Sequence, residues 1–293
     1  MYYRDFFYQA YFSSRGYCPS WPIGTPMHLG DMIKILPGKM NKLGNIYYDL
    51  PLFKPQLKTI EYPALPQRWQ FQKGLNVDYS APDVQVLNND VEIPAEFPLL
   101  RLQFGQPGSF FFEADRIDVS RIANFDKIKH DLVQHLCAEY FSFQSVYVVT
   151  EIARVEPFSF LLAREARADL YLQVPKFTGF MPLNLTKLSR DYKTLYTRGL
   201  DQVHIAQEGC NMFFRASKLE LTETKRDELI RKVYDDAKDD SRLYLQNIID
   251  NALTDMISRQ EVDPMNSNNY YDFHAMTMDD IAIFLGDAVE FYY

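Results

Sequence analysis

The sequence predicts an α+β fold: a twisted, mostly antiparallel sheet with long amphipathic hairpins, flanking helices and a helical C-terminal extension. Three observations lead there. Residues 158–174 alternate apolar and polar over roughly 17 positions, against ~5–6 for an ordinary strand. Helical spacing marks Ile128, Leu132 and Leu136, and returns from Leu229 to Ile257. The 20 Tyr and 22 Phe suit half-buried pleated surfaces.

In order along the chain, residues 2–15 read as a short aromatic helix stopped near Gly16. Residues 17–26 carry Pro19, Pro22, Gly24 and Pro26 and read as a loop. Residues 31–35 and 43–47 bracket Pro37-Gly38-Lys39 and predict two strands and their turn. Four prolines between 50 and 70 predict an irregular crossing. Leu100, Leu102 and Phe104 alternate before Gly105-Gln106-Pro107-Gly108, and Phe110 and Phe112 after it, which predicts a hairpin from Leu100 to Ala114. A helix over 120–140 leads into the apolar strand Val146–Ile152.

After Pro157, Phe158, Phe160, Leu162, Ala166, Ala168, Leu170, Leu172 and Val174 point one way. Ser159, Glu165, Arg167, Asp169 and Gln173 point the other, and Arg164 is the one charge on the apolar face. Such a ribbon suits the curved edge of a soluble sheet. It equally suits a strand facing lipid on one side, which needs only ~9–11 residues. Further strands are expected near 192–197, 202–206 and 211–221, with Glu208-Gly209 between the last two. Thr224 with Asp227 resembles a capping box opening one long helix or two. Residues 263–269 form the best linker, and Thr277 with Asp280 begins a short helix bearing Ile281, Phe284, Leu285 and Val289. The expected organisation is a body over 1–221, a helical segment over 222–260 that packs on it, and an acidic linker and helix over 261–293.

Residues 1–221 carry 24 Lys/Arg and 23 Asp/Glu, while 222–293 carry 7 and 16. The body is neutral and the end acidic. No basic–aromatic patch is dense enough for nucleic acid. Three scattered cysteines, Cys18, Cys137 and Cys210, argue against a disulfide framework and for a reducing compartment. With no signal peptide and no apolar run near ~18 residues, a cytoplasmic protein is expected.

Sites for catalysis are not apparent: there is no phosphate loop, nucleophile elbow, Cys-x-x-Cys or His-Glu-x-x-His. His130 and His135 are five apart and do not share a helix face, and His204 reads as a half-buried packing residue. Asp235, Asp236, Asp239 and Asp240 read as a solvated helix face. No enzyme activity, metal or cofactor is expected.

The helix Lys129–Leu136, the strand Val146-Tyr147-Val148-Val149-Thr150-Glu151-Ile152 and the closing run Val203–Ala216 resemble the pore-forming domain of the gasdermin family. So does the order of helix, strand pair, first hairpin (about 70–115), helix and second hairpin (about 157–206), so the resemblance covers roughly residues 1–221. It implies a monomer held inactive by its C-terminal part and freed by a protease. The freed body would join further copies of itself on membrane lipid and extend two hairpins into a β-barrel pore that kills the cell. By that resemblance Leu100, Leu102, Phe104, Phe110, Phe112, Phe158, Phe160, Leu162, Leu170, Leu172 and Val174 would face lipid. Arg4, Arg15, Lys34, Lys39 and Lys42 would meet head groups. Cleavage would fall in the region of Asp263, Asn268 and Asp272, and Ile281, Phe284, Leu285 and Val289 would belong to the inhibitory tail. A β-rich structural subunit of a larger viral or injection-machine assembly fits the same composition, as does an aromatic-rich ligand-binding module.

Overall fold

The computed structural model describes residues 1–50, 57–62, 68–80, 98–139, 146–174, 183–188, 192–225, 227–228, 231 and 269–286. Helix α1 (Arg4–Ser13) and the two-residue β1 (Cys18–Pro19) precede the hairpin β2 (Asp31–Leu36) and β3 (Lys39–Asn45). Then come β4 (Thr59–Tyr62), β5 (Trp69–Lys73), β6 (Leu75–Ser80), β7 (Leu99–Phe104), β8 (Phe110–Ala114) and β9 (Ile117–Ile122). Helix α2 (Phe125–Glu139) leads to β10 (Val146–Val155), β11 (Phe158–Ala163) and β12 (Ala168–Gln173). A 3₁₀ turn at Leu185–Lys187 precedes β13 (Lys193–Arg198), β14 (Leu200–Gln207) and β15 (Cys210–Leu221), and β16 (Tyr271–Ala275) and α3 (Met278–Leu285) follow. The fold is α+β with antiparallel sheets.

Two compact units divide the chain. The first comprises Met1–Pro26, Tyr62–Val119 and Ala153–Phe213, the second Met27–Glu61, Ser120–Ile152 and Phe214–Tyr293.

The first unit holds two four-stranded sheets, ordered β14-β11-β8-β5 and β13-β12-β7-β6. The apolar residues between them include Leu100, Leu102, Phe104, Phe111, Leu161, Leu170 and Leu172. Helix α1 buries Phe6, Phe7 and Ala10, and the Phe6 ring lies 4.5 Å from that of Phe160 and 5.4 Å from that of Phe110. The helix stops as expected: Gly16 N–H donates to the Tyr11 carbonyl at 2.7 Å, with Gly16 at φ 96°.

In the second unit β10 stands in a sheet ordered β15-β10-β2-β3, with β16 beside β15 and β9 joining β10 to β4. The amphipathic face of α2 (Ile128, Leu132, Val133, Leu136) shares a core with Val146, Val148, Leu219, Tyr271 and Phe273. Gly38 closes the β2–β3 turn at φ 72°.

Several expectations need correction. Leu100–Ala114 is not a hairpin: β7 pairs with β6 and β12, whereas β8 pairs with β5 and β11. The glycines and proline at 105–108 turn the chain through a corner, and turn chemistry alone does not distinguish a corner from a reversal. Residues 158–174 are not one straight ribbon either, because β11 and β12 belong to different sheets. On the polar side of that stretch Glu165 and Arg167 are exposed, but Ser159 is fully buried and Asp169 is 3% exposed. The crossing at 50–70 includes β4, paired to β9. Strands β9 and β16 were not expected. The long hairpins expected over about 70–115 and 157–206 are present, as the β5–β8 and β11–β14 ladders. Residues 223–225 and 227–228 are helical; the rest of the expected helix to Ile257, with Asp235, Asp236, Asp239 and Asp240, lies outside the described residues.

Candidate functional site

Four ribbons, each broken once, build the first unit's sheets: β5–β6, β7–β8, β11–β12 and β13–β14. Each gives one half to each sheet, and the ribbons keep the same order in both. The breaks lie side by side and are bonded together. Gly105 N–H donates to the Gly74 carbonyl at 2.9 Å, Gly108 N–H to Ala163 at 2.8 Å, and Arg164 N–H to Gly199 at 2.8 Å. The outer ribbons bend at single glycines, Gly74 (φ 65°) and Gly199 (φ 68°), where an L-residue is strained. In the inner ribbons the corners are residues 105–109 and 164–167, and Arg167 takes φ 56°. A Cβ on Gly108 would strike the Tyr2 carbonyl. Burial and a hydrogen bond to Asp201 push the Tyr2 hydroxyl up to about 12.

The corner reverses the facing of the side chains. Leu100, Leu102 and Phe104 on β7, with Leu170, Leu172 and Val174 after the other corner, face the core between the sheets. Beyond the β7–β8 corner, Phe110 and Phe112 meet α1 and Phe71 instead, with Phe71 and Phe112 stacked at 4.7 Å. Phe160 stands opposite Phe112, and Leu162 opposite Phe110. The eleven residues expected to face lipid are therefore split between two cores, each 3% exposed or less. Yet Phe104 and Phe110 are six positions apart, as are Leu162 and Ala168. On a straight ribbon even spacing puts all of them on one face.

Register across the two inner ribbons is the same on both sides of the corner. Phe104 faces Ala168 in one sheet and Phe110 faces Leu162 in the other, leaving five residues on each ribbon between the pairs. The outward face of the β7–β12–β13 ladder carries an ion triad: Asp169, nearly buried, accepts from Arg101 at 3.2 Å and Arg198 at 2.9 Å. Arg101 also lies over the Tyr171 ring at 5.3 Å.

The expected head-group residues do not form one cluster. Arg4, over the Tyr8 ring at 5.7 Å, and Arg15 are exposed on the first unit. Lys34, Lys39 and Lys42 belong to the β2–β3 hairpin of the second, where Lys42 pairs with buried Asp31 at 2.7 Å.

In the second unit the chain's end is docked by strand and helix. β16 pairs with β15 from Leu221↔Tyr271 to Ser217↔Ala275, and Asp272, within this ladder, pairs with Lys129 at 3.0 Å. Burial would raise the Asp272 carboxyl, but Lys129 and the Phe273 N–H outweigh it and hold it below its ordinary range. Thr277 and Asp280 make the expected capping box on α3. Asp280 also accepts from Tyr147 at 2.8 Å and pairs with Lys218 at 3.2 Å. Burial opposes the Lys218 ammonium, but Asp280 and Glu220 keep its pKa above the ordinary value. Ile281, Phe284 and Leu285 are buried, and the Phe284 carbonyl accepts from Gly38 N–H at 2.7 Å. Asp263, Asn268 and Val289 lie outside the described residues.

Among the described residues no three His, Cys, Asp or Glu side chains are placed to hold a metal ion, and no helix is long and apolar enough to cross a membrane. His130 is exposed and His135 half-buried on α2. His204 lies 3.2 Å from Gln202 and beside the Phe158 ring, and burial lowers its pKa. Searched against known proteins, the chain matches no family model and no curated protein.

Proposed function

We propose that this chain is a gasdermin-like pore-forming protein, kept soluble by its C-terminal part and released by proteolysis to oligomerise into a membrane β-barrel pore. The carrying observation is the mismatch between the sequence's alternation and the bent fold. Leu100, Leu102, Phe104, Phe110 and Phe112 share one face only if the β7–β8 ribbon is straight, as do Phe158, Phe160, Leu162, Leu170, Leu172 and Val174 on its neighbour. The common register of Phe104 with Ala168 and Phe110 with Leu162 lets the inner ribbons straighten side by side without slipping. Trp69, Phe71, Leu75, Val77 and Tyr79 would join the same face, together with one charge, Lys73, opposite Phe110. The β13–β14 ribbon differs, bringing Thr197, Gln202 and His204 to it.

A barrel wall in lipid needs every backbone group paired and alternate side chains facing hydrocarbon. Unpacking the eleven residues into water would cost about 20 kcal/mol at ~2 kcal/mol each. Straightening is therefore confined to a place where hydrocarbon buries them again. In the second unit, β16 and α3 would be the segment withdrawn by a protease cutting upstream of Tyr271. The freed body would then act with further copies of itself on a membrane, leaving the cytoplasm to do so.

Dye release from lipid vesicles tests this, with a protease site inserted near Asn268. Leakage is expected from the cleaved protein and not from the intact one. No leakage from either form, on neutral or anionic lipid, would overturn the proposal and favour a structural subunit.

A further inference from the structure

We propose that residues 183–188 are a latch, separate from the C-terminal segment, that holds the second hairpin's far end against the first and must open before the ribbons straighten. The gating step rests on the pore-forming reading; the latch itself does not. Its keeper is Glu113 on β8, whose side chain is fully buried. The carboxylate accepts from Arg68, from Leu185 N–H at 3.1 Å and lies 3.3 Å from the Thr186 hydroxyl. That hydroxyl has one proton, and Asp115 at 2.7 Å is its nearest acceptor. Arg68 also donates to the Leu183 carbonyl at 3.2 Å, and the Asn184 side chain caps the turn by accepting Lys187 N–H at 3.1 Å. Leu185 is fully buried with Leu170, Leu172 and Ile205.

Latching and straightening oppose each other by distance. Glu113 faces Ser159, and on a straight ribbon the fourteen steps from Ser159 to Gln173 span about 48 Å. The twelve steps from Gln173 to Leu185 reach at most ~43 Å fully extended. Leu185 could then keep its bond to Glu113 only with the chain between Gln173 and Leu185 drawn out to nearly full extension, so straightening pulls the latch open. The latch is also built to open. Burial raises the Glu113 carboxyl above its ordinary range against the pull of Arg68 and Leu185 N–H, so hydration on opening offsets part of the bonds lost.

Hydrogen exchange on the full chain, followed by vesicle leakage after cleavage, tests this with Thr186→Val and Asn184→Ala, neither of which removes a core side chain. Exchange at Leu185, Lys187 and Leu188 is expected to rise about tenfold, the equivalent of one buried hydrogen bond, with β11 and β12 unchanged. Cleaved variants should then leak faster than cleaved wild type. Unchanged exchange in both variants would overturn the latch. Faster exchange with an unchanged leakage rate would overturn its gating role. Faster exchange with no leakage from any cleaved form, wild type included, would uphold the latch and overturn the pore-forming reading, and gating with it.

Discussion

Ala163 donates its backbone N–H to the Ser109 carbonyl at 2.9 Å, inside the corner where two ribbons leave one sheet for another. Gly108 returns a bond to the Ala163 carbonyl at 2.8 Å. The ladder between the inner ribbons is thus carried into the bend. A corner paired in this way can open into a continuous ladder without first losing its register, which is otherwise the costly step in rearranging a sheet.

Val77 separates folding from insertion. It is 42% exposed in the bent form but stands opposite Leu102, on the face that straightening would turn to lipid. Val77→Asp should change stability by no more than ~0.5 kcal/mol and slow leakage, since a carboxylate facing mid-bilayer is unfavourable, though by less than the ~2–4 kcal/mol of an arginine or lysine there. Asn76→Asp, one residue away on the other face, should leak normally. Denaturant unfolding and dye release on the two variants check this.

Gly199 sets the outer corner. Its φ is 68°, and a Cβ there would sit 3.1 Å from Glu165 Cβ and 3.2 Å from Ala168 Cβ. Gly199→Ala should cost about 1–2 kcal/mol from backbone strain alone, read as a lower urea midpoint at unchanged slope.

Asp280 joins α3 to the sheet through Tyr147 and Lys218. Asp280→Ala takes from a mostly buried Lys218 ammonium one of its two carboxylate partners among the described residues, Glu220 being the other, and breaking such a pair costs about 3 kcal/mol. Exchange over β16 and α3 should accelerate while α1 is unaffected. Uncleaved protein carrying the change should leak.

Burial lowers the pKa of His204, so the folded chain favours the neutral ring. Its contribution to stability is fully present above the ordinary value of 6.5 and is lost as pH falls below that toward the lowered value. Thermal unfolding of wild type should therefore lose ground on acidification below about 6.5, and His204→Gln, which has no charge to gain, should lose less over that window.

Much of this fold is legible in the sequence where one face of an element is buried. Ile128, Leu132 and Leu136 mark α2 and Val146–Ile152 mark a central strand, because each pattern reports burial directly, and Thr277 with Asp280 marks the start of α3 by capping its first N–H groups. Strand β4 has all four residues exposed and no apolar face to report. Strand β16 does alternate, Tyr271 and Phe273 against Asp272 and His274, but over five residues beside a linker the signal is short. The corners were not legible: alternation across 105–109 and 164–167 continues as though the ribbons were straight. The latch was hidden too, because Glu113 and Thr186 are 73 positions apart and meet only through the fold.

Straightening is measured most directly by the distance between spin labels at Gln70 and Asp78, exposed residues on either side of Gly74. On vesicles with cleaved protein, the distance should rise to about 27 Å, the span of eight extended residues. The same distance on vesicles as in solution, in a preparation that leaks, would contradict straightening at Gly74 and with it the use of the bent hairpins as the pore wall.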